Sequence, residues 1–290
     1  MLTILFDGIA YGMLLFILAV GLAVTMGLMN FINLAHGAFA MVGGYITVLL
    51  MQRLDVPFLL CLPLAFIGVA LLGAVLERTL YRPMYAKPHL DQVLFSIGLT
   101  FMTVASMDYF MGSSQQMIHL PPWLKGRTEL GEGAWMLGMG HYRLFIIAVC
   151  AALTLVLQYV LSATRFGSRL RASVDDQRVA AGLGINVNIV FLSTFAFGSG
   201  LAGLGGALGA EVLGLDPSFP LKFMIYFLIV VAVGGTSSIT GPLLAALLLG
   251  IADVAGKYYI PKMGAFIVYS LMIVILIWRP QGLFSRPSGK

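Results

Sequence analysis

The stretch MNFINLAHGAFAMVGGY, residues 29–45, puts two asparagines and a histidine inside sequence that otherwise suits lipid. No Asp, Glu, Lys or Arg occurs between Asp7 and Arg53, so residues 8–52 form a run of 45 without formal charge. Polar groups at that depth cost several kcal/mol unless something satisfies them. The stretch therefore lies against protein or water, or it performs a task that needs polar atoms.

The whole composition agrees with a membrane setting. The chain has 290 residues, 60% hydrophobic and 10% charged, with a mean hydropathy of +0.97. Soluble domains carry about 25% charged residues, so the chain is an integral membrane protein. Its 34 glycines suit close helix packing. The net charge of +5 is scattered through short loops, which excludes a nucleic-acid footprint and reads instead as a topology signal. Cys61 and Cys150 stand alone in apolar runs and are expected as buried small hydrophobes. The N-terminus has Asp7 in place of a basic region, so the first apolar segment is expected to be retained as a span.

Spans of roughly 20 apolar residues are expected at 8–28, 35–51, 56–76, 92–110, 144–163, 188–210 and 263–278. The uncharged run 223–252 is interrupted by Gly234-Gly235-Thr236-Ser237-Ser238 and Gly241-Pro242. It reads as two short helical pieces meeting at an unwound corner. The expected fold is all-α and polytopic, a single membrane domain over 1–290 with eight or nine crossings and helices broken near 29–36 and 234–242. Lys and Arg crowd loop 77–91, loop 164–187 and the tail, which are expected in the cytoplasm. Loop 111–143 is expected outside as a structured loop that a hairpin would suit, together with the N-terminus. A tail inside then needs the 223–252 run to cross twice.

Within the opening stretch, Asn33, Gly37, Ala40 and Gly44 fall on one helical face, small and polar. Asn30, Asn33 and His36 stack three apart at the helix start, where Asn30 or Asn33 could cap it. Two readings stay open: polar atoms satisfied by caps and neighbouring helices, or the lining of a translocation path. His36 has no second ligand at metal spacing. The segment RFGSRLRASVDDQRVAAGLGINV, 165–187, reads as a short amphipathic helix capped by Ser168 and ended by Gly182 or Gly184. It is either a solvated loop or a docking element for a cytoplasmic partner. Gly198–Gly203 matches G-x-G-x-x-G, but without a strand–helix context or a following acid the dinucleotide reading fails. Gly200, Gly203, Gly205 and Gly209 are instead expected at close helix contacts, as are Gly8 and Gly12. There is no P-loop, triad, carboxylate pair or metal cluster in the sequence, and Asp108 and Glu211 stand at segment ends where they are expected to face water.

Taken together, GLMNFINLAHGAFAMVGGY, LFSIGLTFM (94–102), RFGSRLRASVDDQRVAAGLGIN, VVAVGGTSSITGPLLAALLLG and WRPQGLF resemble the H-type permease subunits of branched-chain amino-acid ABC importers, over nearly the whole chain. Ser96 stands where that family leads one to expect Thr, which bears on substrate preference alone. The resemblance implies a bacterial inner-membrane permease that moves branched-chain or related amino acids, or similar small amphiphilic solutes, inward by alternating access. It implies a heterodimer with a second related permease subunit, a periplasmic solute-binding protein, surrounding lipid, and two cytoplasmic ATPase subunits. ATP and Mg belong to those ATPases, and no cofactor, metal or nucleic acid is expected on this chain, nor any catalytic residue. On this view Asn30, Asn33, His36, Gly37, Ser96, Thr236 and Ser237 line the substrate pathway. Arg169, Arg171, Asp175, Asp176 and Arg178 couple to the ATPases. The alternative is a channel or ion-coupled secondary transporter for a small polar solute, which would favour acids inside the spans. A membrane enzyme is a third class, and it lacks a catalytic constellation.

Overall fold

In a computed structural model, which describes residues 1–29, 31–130, 137–235, 238–279 and 282, the uncharged run becomes two helices and a break. Helix α1 (Leu2–Met29) ends before the NFINLA segment, and α2 (His36–Leu54) begins after it. Helix α3 (Phe58–Leu76) continues into one π-helical turn, Glu77–Tyr81. There follow α4 (His89–Met111), strands β1 (Arg127–Leu130) and β2 (Leu137–Gly140), α5 (His141–Ala163), α6 (Arg165–Asp175), α7 (Gln177–Gly182), α8 (Val187–Leu213), α9 (Phe219–Gly234), α10 (Thr240–Tyr259) and α11 (Gly264–Trp278). The fold is all-α apart from the antiparallel β1–β2 pair, which runs from Arg127 opposite Gly140 to Leu130 opposite Leu137. Among the described residues, seven helices are long and apolar enough to cross a membrane: α1 to α5, α8 and α10. Two shorter apolar helices lie over Phe219–Gly234 and Phe266–Trp278. The chain is a multi-pass membrane protein.

The small residues of α8 let it sit between α1, α2 and α3. Lipid is as apolar as Leu, so association inside it depends on close fit. A Cβ on Gly203 would come within 2.6 Å of Val69 in α3, and one on Gly200 within 2.9 Å of Phe66. A Cβ on Gly205 would meet Leu18 of α1 at 2.9 Å. A Cβ on Gly209 would meet Leu213 of its own helix at 3.0 Å and Leu14 of α1 at 3.6 Å. The tightest backbone approaches are between α2 and α8, where Gly43 meets Gly203 and Gly206 meets the Ala40 carbonyl. A second seam joins α1 to α10 in antiparallel fashion, with Gly8 on Ile251 and Gly12 on Ala246. Cys61 and Cys150 are buried and unpaired.

The 223–252 run turns back on itself. Gly235, at φ 78°, stops α9 and Ile239 precedes α10. Gly234 then abuts Pro242, while the Tyr226 hydroxyl reaches Asp253 at 3.2 Å, so the two pieces lie antiparallel. One end of the bundle gathers the start of α1, the hairpin and the loop after α8. Gly138 N–H donates to Thr3 Oγ1 at 3.0 Å, Asp7 pairs with Arg143, and Gln116 N–H donates to the Leu215 carbonyl at 2.7 Å. The other end gathers the basic segments. Tyr85 stacks edge-on with Phe191 at 5.9 Å, Arg78 and Arg82 share a cleft with Asn186 and Asn188, and Gly282 lies against Gly235.

The amphipathic segment differs from its sequence reading in its caps. Thr164, one turn earlier than Ser168, is the N-cap of α6, and its hydroxyl accepts from Gly167 N–H at 3.5 Å. Ser168 is already helical and donates to the Thr164 carbonyl. The chain bends at Asp176, whose carboxylate accepts from the N–H groups of Arg178 and Val179 at 2.8 and 3.0 Å and starts α7. That α7 closes at Gly182, and Gly184 sits at φ 83°. Leu170 is buried. Arg169, Arg171, Asp175, Asp176 and Arg178 are exposed.

Candidate functional site

The break between α1 and α2 is where polar groups converge. Phe31 N–H donates to the Thr25 carbonyl of α1 at 3.3 Å, and the other buried N–H and C=O groups of the break need partners from elsewhere in the protein. Helix α4 supplies them. Gln92 Oε1 accepts from Ile32 N–H at 3.3 Å, and Ser96 Oγ accepts from Leu34 N–H at 3.2 Å. Thr100 Oγ1 donates to the Ser96 carbonyl at 2.9 Å, with the Leu34 carbonyl at 3.5 Å. Gln92 is itself oriented by donating to the carbonyls of Lys87 and Met84, at 3.1 and 3.4 Å. These three residues are the buried ones of α4, spaced by four along a helix whose other faces carry exposed Leu94, Phe101, Met102 and Phe110. The helix is inside out relative to a soluble one.

Asn33 is 1% exposed, and its Oδ1 accepts from Ala35 N–H and from the Tyr81 hydroxyl, both at 3.1 Å. The π-helical turn that ends α3 aims Tyr81 at this amide. Its ring lies among Phe31, Phe39, Phe95 and Phe195 at centroid distances of 5.4, 6.5, 5.1 and 4.5 Å. His36 is buried, with Nε2 2.8 Å from the Leu18 carbonyl of α1 and its ring edge-on to Phe227. The neutral tautomer carrying its proton on Nε2 satisfies that carbonyl. A Cβ on Gly21 would lie 2.6 Å from the ring, so a glycine there gives the imidazole its slot.

These contacts change part of the sequence reading. Asn33 neither caps α2 nor belongs to its face. Residues 33–35 form an Asx-type turn ahead of the helix, and Ala35, the residue before α2, receives no side-chain cap. Only Gly37, Ala40 and Gly44 share the expected face, and it packs on protein: Gly37 on Pro220, Ala40 on Gly206 and Gly44 on Leu215. Asn33, His36, Gly37 and Ser96 are thus all buried at or beside the break but turn to different neighbours: Asn33 to Tyr81, His36 to Leu18, Gly37 to Pro220 and Ser96 to Leu34. Asn30, Thr236 and Ser237 lie outside the described residues. Residues 169–178 are at the end of the bundle that holds the basic segments, alongside a cleft shared by Gly167, Arg171, Ser238 and Ile239.

Gln92, Thr100 and Tyr81 escaped the sequence reading. The first two were accessible to it, because Gln92, Ser96 and Thr100 form an i, i+4, i+8 stripe in an otherwise apolar segment. Tyr81 left no such signal, since a π-turn sets its direction. Also unforeseen is Asp253, 1% exposed inside α10, which accepts from Lys257 Nζ at 2.5 Å and from Tyr226. Among the described residues, no three His, Cys, Asp or Glu side chains converge to hold a metal.

A family model described as the branched-chain amino acid transport system permease component matches residues 4–276. This chain belongs to that family. Its relatives include the high-affinity branched-chain amino acid transport permease BraD of Pseudomonas aeruginosa, 29% identical over 98% of this chain and 95% of the relative. LivH of Escherichia coli K12 is 26% identical over 98% of this chain and 95% of its own length. LivM of the same organism, also a permease protein, is 26% identical over 96% of this chain and 70% of its own length. No solved structure matches.

Proposed function

We propose that this permease component conducts branched-chain or related amino acids inward across a bacterial inner membrane. The path would run past the broken segment between α1 and α2. The observation that carries the reading is a buried, polar, unwound segment in a chain whose family match extends over 4–276. Broken helices near the middle of a transporter offer polar backbone where solute must pass. Asn33, His36, Gly37 and Ser96 lie at that segment, and Asn30, Thr236 and Ser237 belong to the same pathway reading. In the conformation described here the face is shut by α8 and α9, so alternating access requires those helices to part from α2.

The hairpin end with the N-terminus faces outside and receives solute from a binding protein. The basic end faces the cytoplasm, where α6 and α7 dock on two ATPase subunits that hold ATP and Mg. A second permease subunit completes the path, and the likeness of this one chain to both LivH and LivM supports such a related pair. Whatever the sidedness, 1–290 acts as a single membrane domain. A channel or ion-coupled carrier gains nothing from the buried acid Asp253, which Lys257 and Tyr226 already engage.

Uptake by the reconstituted complex tests the reading. ATP-dependent accumulation of leucine, isoleucine or valine supports it, and no accumulation of any amino acid overturns it. The pathway assignment has its own test. Asn33→Cys and Ala40→Cys should react with a water-soluble thiol reagent in one nucleotide state and not another, while Phe39→Cys stays unreactive. Uniform protection in every state would make the segment a packing element.

A further inference from the structure

Where the end of α3 meets the start of α8, at the basic end of the bundle, a cleft of about 320 Å³ is lined by Glu77, Arg78, Arg82, Asn188, Ile189 and Leu192. Glu77 is 3% exposed, and its Oε1 accepts from the Tyr85 hydroxyl at 3.1 Å. Among the described residues, the sealed side-chain oxygens without a hydrogen bond are Asp7 Oδ1 and the Tyr45 hydroxyl. Glu77 Oε2 is not one of them and opens on the cleft. Arg78 and Arg82 are exposed at the same cleft, yet neither is in the ion pairs of the described residues. A carboxylate and two guanidiniums thus share a small space without pairing. A carboxylate at the edge of the bilayer is costly unless a cation meets it. The approach to the cleft is apolar. Ile67, Leu71 and Val75 are exposed, and their spacing of four, followed by three to Arg78, leads along one face of α3 to the arginines. Helix α3 is long and apolar enough to cross the membrane, so that face meets acyl chains.

We infer that the cleft holds the headgroup of a phospholipid with a primary ammonium, phosphatidylethanolamine. The phosphate lies against Arg78 and Arg82, the ammonium donates to Glu77 Oε2, and an acyl chain follows Val75, Leu71 and Ile67 into the bilayer. Two arginines at a membrane face would by themselves suit an anionic headgroup. The carboxylate beside them repels a second negative charge and selects a zwitterion. A trimethylated headgroup carries the same charges but has no N–H to give, and its bulk keeps it from a carboxylate so little exposed. The inference depends on α3 crossing the membrane and not on which solute the permease moves.

The test uses the assembled complex, purified in detergent and titrated with phosphatidylethanolamine, phosphatidylcholine or phosphatidylglycerol of identical acyl chains. Native mass spectrometry reads the lipid retained. The wild-type complex should hold phosphatidylethanolamine at one site at least fivefold more tightly than either of the others. Glu77→Gln keeps an acceptor for the Tyr85 hydroxyl and removes the charge, so it should abolish that preference. Arg78→Gln combined with Arg82→Gln should lose the site for all three lipids. Equal retention of phosphatidylethanolamine and phosphatidylcholine by the wild type would overturn the inference, whatever the variants do. A preference for phosphatidylglycerol, or one for phosphatidylethanolamine that survives in Glu77→Gln, would overturn it too. A photoreactive residue in place of Ile189 should crosslink to lipid in the membrane-embedded complex. Crosslinking to another subunit instead would make the cleft a protein-docking surface and remove the lipid site.

Discussion

Tyr81 shows how one hydroxyl can fix the geometry of a break. Its ring is packed on four sides, so Tyr81→Phe keeps the packing and deletes only the donor to Asn33. Asn33 Oδ1 retains Ala35 N–H, so the loss should be modest, about 1 kcal/mol, read as a lower unfolding midpoint of the purified protein. A loss above that of Tyr81→Ala would contradict this account. Asp216 plays a comparable part ahead of α9. Burial pushes its carboxyl up, but hydrogen bonds from Lys222 and Ser218 outweigh this and hold it below the usual carboxylate range. A depressed acid stabilises the fold fully above its unfolded value of about 4 and loses that contribution as the pH falls through its folded value. Asp216→Asn should therefore destabilise the protein at neutral pH and flatten the acid limb of its stability profile. A variant with wild-type acid sensitivity would refute the assignment. At this scale the sequence showed which residues are unusual and not which partners they take. Asn33 and His36 stand out in an uncharged run, but Tyr81 and the Leu18 carbonyl come from turns of chain that only packing brings near.

Among the elements, α6 and α7 separate two roles that the sequence merged. Arg171 reaches back to the Leu161 carbonyl and tethers α6 to the end of α5, and Asp176 is consumed in capping α7. Asp175 and Arg178 remain exposed, close to the uncovered apolar side chains of Val179 and Leu183. Arg178→Ala should thus lower substrate-stimulated ATPase activity of the complex several-fold with assembly intact. Arg171→Ala should instead lower thermal stability first. Equal turnover by Arg178→Ala and wild type would make the segment a solvated loop. The helix breaks at 29–36 and 234–242 were legible because asparagines, glycines and Gly241-Pro242 interrupt uncharged runs. The caps were not, because Thr164 and Ser168 are both competent by type and only the direction of the incoming α5 decides between them.

For the molecule as a whole, the α8 seam is the feature most exposed to substitution. Gly205→Leu would force Leu18 and the α1 backbone aside, at roughly 1–3 kcal/mol, and should reduce the yield of folded protein in a monodispersity assay. A fully stable variant would show that α1 and α8 are not held in register there. The seam was readable from the glycine spacing, but its closest points, Gly43 on Gly203 and Gly206 on Ala40, depend on how steeply α2 crosses α8. The hydrogen-bonded stripe of α4 carries a further consequence. The apolar part of the helix's anchorage, Phe95 against Tyr81, is indifferent to a few stray solvent molecules, but the part supplied by Gln92, Ser96 and Thr100 is not. Every bond that holds it to the break is one that water can make equally well. Hydration of the break during passage of a polar solute would therefore compete directly for the attachment of α4, and dehydration would restore it. The same three side chains that make the break tolerable when dry make its wetting a mechanical event.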